Sequence, residues 1–231
     1  RSVLEKTIAF FFCSPTNPQG SVADEDYLLK LYSLAVEYNF LIISDECYSE
    51  IYRSSAPKSI LQISEKNNFE NVLSLNSLSK RSNAPGLRSG FVAGNENLIN
   101  ELFNLRNIAA PTVPIPIQIA SEYLWGDEMH VIENRKLYND KFDIFYKNID
   151  IGFDFKIPEG GFFVWLDISK YGNDEEITIK LWKSGMKVIP GSYLSIESAN
   201  LSNSSNYIRI ALVGNTEDIN QATMKLNRLA F

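Results

Sequence analysis

The sequence is poor in cysteine and histidine, the side chains that most often bind transition metals. Its 231 residues include one histidine and two cysteines, and Cys13 and Cys47 lie far apart in the chain. This number and spacing give neither a disulfide framework nor a metal-ligand pattern. We therefore expect no metal site, and a reducing cytoplasm is the expected compartment.

Long apolar runs and an excess of positive charge are also missing. No apolar segment reaches the length that spans a bilayer, and the first residues lack the apolar core of a signal peptide. The formal net charge of −6 leaves no basic stripe to neutralise nucleic-acid phosphates. We expect no nucleic-acid partner and no membrane partner. The 45% hydrophobic and 22% charged residues are ordinary for a soluble globular protein of one large or two smaller domains.

Apolar runs in the first half of the chain predict strands that are covered on both faces. Helical spacing follows the first of these runs, and polar or turn-forming residues end each one. The predicted strands cover 8–12, 40–43, 72–75 and 88–94, and the predicted helices cover 28–38 and 97–106. Polar side chains follow the strand ends, which is the edge where open α/β sheets bind ligands.

The second half predicts a smaller α+β domain. Three prolines make 109–116 a non-helical connection, and 117–149 favours one or two long helices. Alternation then predicts strands over 153–157, 162–166 and 207–212. Helices over 175–184 and 217–229 are predicted to flank these strands. The predicted division is a large-domain part over 1–115, a connecting long helix over 116–150 and a small C-terminal domain over 151–231.

Short motifs at the predicted strand ends carry the candidate chemistry. Asn17 lies in a turn, Asp45 ends a strand, and Lys80 follows closely spaced serines with Arg88 eight residues on. Each alone is ordinary, because solvated lysines, helix-capping aspartates and turn asparagines are common. Together they supply an amine for a Schiff base, donors for a phosphate and a carboxylate for a pyridinium nitrogen. Pyridoxal 5′-phosphate (PLP) needs this set from a protein.

In these motifs the chain resembles the class I/II aminotransferases, the fold-type I PLP enzymes, over essentially its whole length. The matching segments are Asn17-Pro18-Gln19-Gly20, Asp45-Glu46-Cys47-Tyr48, Ser77-Leu78-Ser79-Lys80 and Tyr207-Ile208-Arg209-Ile210. The resemblance implies an α/β, PLP-dependent transferase-like fold. It would combine part of a large domain, with a mostly parallel sheet, and a small C-terminal α+β domain. It also implies an enzyme that acts as a homodimer on an amino acid and a 2-oxo acid.

The resemblance assigns cofactor contacts to four of the motif residues. Lys80 would form the Schiff base and later move the proton between the substrate Cα and the cofactor. Asp45 would keep the pyridine nitrogen protonated. Asn17 and Tyr48 would hydrogen-bond the phenolic oxygen.

The resemblance also implies how a phosphate and a substrate would be held. Ser77 and Arg88 would bind the phosphate, Arg88 through charge-assisted hydrogen bonds. Arg209 would grip the substrate α-carboxylate in a bidentate pair, with Asn17 as a second substrate contact.

Two segments look like the succinyldiaminopimelate aminotransferase branch, namely Pro158–Asp167 and Val188–Leu194. That branch exchanges an amino group between N-succinyl-diaminopimelate and glutamate in lysine biosynthesis. Aspartate and alanine aminotransferase relatives share much of these segments. A PLP-dependent lyase of the same fold and a non-catalytic, truncated aminotransferase-like fragment are the alternatives.

Three further expectations concern the rest of the chain. Family members carry a substantial part of the large domain ahead of the strand at 8–12, so we expect this chain to be the C-terminal portion of a longer enzyme, with an exposed apolar flank on its sheet. His130 lies in a polar helix and is expected to have a surface role. Paired glycines in Glu159–Phe162 predict a close backbone approach.

Overall fold

The computed structural model describes residues 3–109, 113–195 and 204–230, which pack into two compact units. The first unit contains the described residues of Arg1–Thr16, Ser21–Arg135 and Glu159–Gly161. The second contains those of Asn17–Gly20, Lys136–Pro158 and Phe162–Phe231. The predicted division of the chain into domains at residues 115 and 150 is a separate matter from these units and stays a prediction.

The first unit is built around a mostly parallel sheet. Its strands are β1 (Ala9–Cys13), β2 (Leu41–Asp45), β3 (Val72–Ser77) and β4 (Gly90–Gly94). Their order in the sheet is β1-β2-β3-β4, with the first three parallel and β4 antiparallel to β3. The carboxyl ends of β2 and β3 therefore lie side by side at one edge, as the predicted strand ends required.

The helices of this unit are α1 (Glu25–Tyr38), α2 (Ile60–Ser64), α3 (Leu78–Arg81), α4 (Glu96–Ala109) and α5 (Ile115–Gly126). They include those predicted over 28–38 and 97–106, and two short ones that the sequence did not predict, α2 and α3. Asp24 caps the start of α1 by accepting the N–H of Tyr27, and a left-handed Asn39 ends it. One core cluster joins α1, α2, β2 and β3, and it contains Leu28, Ala35, Ile42, Ile60 and Val72.

β1 forms an edge of this sheet, and two of its phenylalanines, Phe10 and Phe11, are exposed. Phe11 is 77% exposed and the preceding Ile8 is 86% exposed. The structure thus confirms the expected apolar flank. Such a surface favours association in solution.

The second unit is a three-stranded antiparallel sheet covered by helices. Its strands are β5 (Phe163–Asp167), β6 (Ile189–Pro190) and β7 (Tyr207–Ala211), in the order β5-β7-β6. Its helices are α7 (Asp174–Lys183) and α8 (Thr216–Asn227), and α6 (Met129–Asn148) contains the boundary between the two units. Aliphatic side chains of β5 and β7 pack with Phe142 and Phe145 in one core.

The predicted strand over 153–157 is wrong. Ile151–Phe153 is a 3₁₀ turn, and Asp154 adopts a left-handed φ of 46° that breaks an extended run. Phe153 and Phe155 still pack into the core of the second unit. Their alternation therefore reflects burial without a neighbouring strand to pair with.

The segment between the predicted large and small domains also differs from expectation. α4 continues to Ala109 and α5 begins at Ile115, so the connection is shorter than 109–116, and residues 110–112 lie outside the described residues. Pro116 is accommodated in the first turn of α5, where a missing N–H costs nothing. The predicted one or two helices over 117–149 are two, α5 and α6.

Among the described residues, no helix combines the length and the apolar character that crossing a bilayer requires.

Candidate active site

Asp45 lies at the carboxyl end of β2 and is exposed, whereas its neighbour Glu46 is buried. The Glu46 carboxylate accepts hydrogen bonds from the Ser44 hydroxyl and the Ile60 N–H, both at 3.0 Å. Asp45 accepts one from the N–H of Cys47 at 3.0 Å. Glu46 therefore fixes the turn after β2, and Asp45 is the carboxylate that faces solvent.

Lys80 and Tyr48 are close together in the first unit. The Lys80 Nζ lies 5.8 Å from the centroid of the Tyr48 ring, within the range of a cation–π contact. Tyr48 is buried in the turn after β2, and Lys80 is half-buried on α3, which follows β3 directly. The two motifs predicted from separate strand ends thus meet at one sheet edge.

Ser77 has a structural role at the start of α3. Its hydroxyl oxygen accepts the N–H of Ser79 at 3.1 Å and lies 2.9 Å from the Ser79 hydroxyl. Sequence reasoning selected Ser77 and missed Ser79, although both stand in the same motif. The pair places two hydroxyl groups beside each other within the three residues before Lys80.

Arg88 lies in the turn between α3 and β4. It is exposed and adopts a left-handed φ of 54°, a conformation rarely seen in a residue other than glycine. Its Nη1 donates to the Pro85 carbonyl at 2.9 Å. The backbone of Arg88 therefore lies near the Ser77 end of β3, since Ser77 pairs with Gly90 in the sheet.

Cys47 lies between Asp45 and Tyr48 in the sequence, and the charges of the Asp45 carboxylate and the Lys80 amine both affect its thiol. Burial, a hydrogen bond to Asp45 and repulsion from that carboxylate raise the pKa of the Cys47 thiol to about 12, while the charge of Lys80 acts in the opposite direction. The thiol is therefore protonated at neutral pH and is a weak nucleophile.

Arg209 and Asn17 are brought together in the second unit across 192 residues of sequence. The Arg209 Nη1 donates to the Asn17 side-chain carbonyl at 2.9 Å, and the guanidinium carbon lies 4.6 Å from the centroid of the Phe163 ring. Arg209 is in the middle of β7, paired with Trp165 of β5 and Ile189 of β6. The two residues predicted to bind substrate are thus in direct contact.

The paired glycines make the expected close approach. A Cβ added to Gly160 would lie 2.5 Å from the Pro15 side chain. Gly160 forms a β-bridge with Tyr52, and the Gly161 N–H donates to the Ile51 carbonyl at 2.7 Å. This segment is therefore fixed against the turn that follows β2.

His130 is half-buried and contacts two polar side chains. Its Nδ1 lies 2.8 Å from Asp127 Oδ2, and its Nε2 lies 2.8 Å from the hydroxyl of Ser82. The contact with His130, among others, lowers the pKa of the Asp127 carboxyl. The predicted surface role is therefore incomplete, because His130 links α6 to the end of α3.

Comparison with known proteins identifies what this arrangement resembles. The sequence model of the family described as aminotransferase class I and II matches residues 2–226. An aspartate aminotransferase of Bacillus sp. is 29% identical over 98% of this chain, and an LL-diaminopimelate aminotransferase of Syntrophobacter fumaroxidans is 27% identical over 99%. The crystal structure of an aminotransferase from Neisseria meningitidis covers the whole chain with a TM-score of 0.90 and 38% identity.

The chain spans 58% of the length of each of these three relatives. The structural likeness confirms the fold class predicted from the sequence, with its mostly parallel sheet and its smaller α+β part.

Proposed function

Because the chain belongs to the class I and II aminotransferase family, we propose that the protein transfers an amino group between an amino acid and a 2-oxo acid. Members of this family use PLP. The observation that carries the proposal is the proximity of Lys80 and Tyr48 in the unit where Asp45 ends β2. The Lys80 Nζ lies 5.8 Å from the centroid of the Tyr48 ring. An amine and a solvent-facing carboxylate at one sheet edge are the two groups that this chemistry needs most.

The residues of the first unit suit the chemical groups of PLP. Asp45 offers a carboxylate for a protonated ring nitrogen, and Tyr48 offers a phenol for the ring oxygen. Ser77 and Arg88 offer a hydroxyl and a guanidinium for the phosphate. We assign Lys80 the covalent contact, since its half-buried amine is next to the Tyr48 ring.

PLP, when bound, supplies an aldehyde that condenses with an amine as water leaves, and a ring that accepts the electron pair of the substrate Cα–H bond. Lys80 would act as the base that takes the Cα proton and as the acid that returns it to the cofactor carbon on the far side of the amino nitrogen, two atoms from Cα. Asp45 holds a positive charge at the ring nitrogen by hydrogen bonding. Tyr48 limits the orientations that the Lys80 amine can take.

Arg209 and Asn17 bind the substrate in this proposal. Arg209 is held within β7 between two strands, so its guanidinium presents a fixed pair of donors to an α-carboxylate. Its hydrogen bond to Asn17 and its stacking on Phe163 restrict the side chain before a substrate arrives. This preorganisation lowers the entropy that substrate binding must lose. Asn17 is also assigned the phenolic oxygen of the cofactor.

For the substrate pair we propose glutamate as the amino donor and the keto acid of N-succinyl-diaminopimelate as the acceptor, which is a step of lysine biosynthesis. The LL-diaminopimelate aminotransferase among the relatives supports this choice. The aspartate aminotransferase among them makes aspartate the alternative substrate. Assembly as a homodimer and a cytoplasmic location belong to the same proposal.

The test compares the full protein with its Lys80→Ala variant. With PLP added, the protein should show the visible absorption band of a lysine-bound cofactor and should convert glutamate to 2-oxoglutarate when a 2-oxo acid acceptor is present. Lys80→Ala should lose both, because no other amine occupies that position. Lys66→Ala is the matched control, since Lys66 is exposed in the first unit away from the strand ends.

Three outcomes would contradict the proposal. A colourless protein would indicate a non-catalytic relative, and colour that survives Lys80→Ala would place the cofactor on another lysine. Ammonia released without consumption of the acceptor would indicate a lyase.

A further inference from the structure

The helix that carries Lys80 is too short to be stable by itself. α3 comprises four residues, which is a single turn. The first turn of a helix is unfavourable, because several backbone angles are fixed for one hydrogen bond. The conformation of this turn must therefore be maintained by contacts from outside it.

Arg81, the next residue after Lys80, makes the most extensive of these contacts. It is only 7% exposed, and its Nη1 donates to the Leu124 carbonyl at 2.7 Å. Its Nη2 pairs with the Glu128 carboxylate, and its guanidinium carbon lies 5.2 Å from the centroid of the Trp125 ring. Only a planar guanidinium can donate in two directions and stack at once, so a lysine could not reproduce this grip.

Asn134 and His130 hold the end of the same turn. The last carbonyl groups of a helix have no partner within the helix. The Asn134 side-chain amide donates to the Lys80 carbonyl at 3.3 Å and lies 3.5 Å from the Arg81 carbonyl. His130 Nε2 lies 2.8 Å from the hydroxyl of Ser82. Three consecutive residues, Lys80 to Ser82, are therefore held from 124–134, the segment where α5 ends and α6 begins.

We propose that residues 124–134, which we call the α5–α6 corner, anchor α3, and that Arg81 is a positioning residue for Lys80. The inference rests on the proposed function of Lys80. A lysine amine is four carbons from its Cα, so its location depends on the backbone that carries it. A displacement of about 1 Å can cost about a hundredfold in rate. The corner fixes that backbone through groups that have no part in the chemistry.

Hydrogen exchange reports directly on the closed turn. The N–H groups of Ser82 and Ala84 both donate to the Leu78 carbonyl, at 3.1 and 3.3 Å. These bonds exist only while α3 is formed, so opening of the turn exposes both amides to solvent. This readout requires neither cofactor nor activity.

The informative variant is Arg81→Lys, which keeps the positive charge and removes the planar guanidinium that donates in two directions. Glu128→Gln is a second, milder variant. We expect it to fold normally, because the Glu128 side chain is 63% exposed. Arg135→Lys is the matched control. Arg135 lies on α6, stacks 4.0 Å from the Tyr52 ring centroid and pairs with Glu50 at 3.7 Å, so it makes the same kinds of contact on a different segment.

The experiment measures amide exchange at Ser82 and Ala84, together with the fraction of Lys80 trapped by borohydride reduction in the presence of PLP. Arg81→Lys should speed exchange by about tenfold, since one lost charged hydrogen bond shifts a local equilibrium by that factor. It should also lower the trapped fraction of Lys80. Glu128→Gln should give a smaller change of the same sign. Arg135→Lys should change neither readout, even if it lowers the melting temperature.

Exchange or trapping in Arg81→Lys that equals wild type would overturn the anchor, as would equal effects in Arg135→Lys. A wild-type protein that is not trapped at Lys80 would overturn the proposed function instead. In that case the exchange rates alone would decide whether the corner holds α3.

Discussion

The two units fix the side chains of the proposed site by different means. In the first unit, Asp45 is the last residue of β2 and Lys80 lies on a one-turn helix, whose backbone is contacted by the distant Asn134 side chain. In the second, Arg209 lies inside β7, with a paired strand on either side. We therefore expect the position of Lys80 to depend on a few supporting residues, and that of Arg209 to depend on the integrity of a sheet and its core.

The largest effect should come from removing the core under β7. Phe142 is fully buried in the cluster that contains Ile208 and Ile210, so Phe142→Ala should lower the free energy of unfolding by about 3–5 kcal/mol. Chemical denaturation measures this loss. Leu137→Ala, on the exposed face of the same helix, should change it by less than about 1 kcal/mol. Equal effects of the two variants would contradict the assigned core beneath β7.

Removing Arg209 itself should affect binding rather than folding. Arg209→Ala should lower kcat/KM for glutamate by about a hundredfold, because it removes one partner of a charged, hydrogen-bonded pair. Steady-state kinetics and circular dichroism together separate this from unfolding. Arg228→Ala, an exposed arginine of the second unit, is the control and should leave kcat/KM unchanged. Normal turnover in Arg209→Ala would show that another group binds the carboxylate.

A smaller effect is expected where the glycine segment touches Pro15. Gly160→Ala places a methyl group 2.5 Å from the rigid proline ring, so it should cost about 1–3 kcal/mol of stability. Gly126→Ala is the control, since an added Cβ there would have no neighbour within 4 Å. Thermal unfolding compares the two variants. A Gly160→Ala protein as stable as Gly126→Ala would mean that the segment is not tightly held.

The mildest perturbation changes no residue and concerns the pH dependence at Cys47. Its thiol pKa is raised from 9.0 to about 12, so stability from the protonated thiol is complete below pH 9 and is lost as the pH rises towards 12. At pH 9 about one thiol in a thousand is ionised in the folded protein, against about half when unfolded. Alkylation at pH 9 should therefore be far slower at Cys47 in native protein than in urea. Equal rates would contradict the assigned burial.

The sequence was sufficient for the residues that belong to short motifs. Asp45 and Lys80 were predicted because local spacing places them at strand ends, and the sheet brings parallel strand ends to one edge. Arg88 was predicted from its spacing of eight residues after Lys80. Arg209 was identified through family resemblance alone. Its contact with Asn17 spans 192 residues and became visible only in the structure.

Contacts between distant segments were beyond sequence reasoning. Arg81 gave no indication of its burial, because its partners Leu124 and Glu128 lie 43 and 47 residues away. The alternation at 153–157 misled for a related reason. A period of two shows which side chains are buried, but it does not show that a partner strand exists.

The central claim is that Lys80 is the amine that holds PLP, and borohydride trapping followed by peptide mapping tests it most directly. In the full protein incubated with PLP, the reduced cofactor should be found on the peptide that contains Lys80, at close to one per chain. Label that is absent from this peptide, or spread over exposed lysines such as Lys66, would contradict the account.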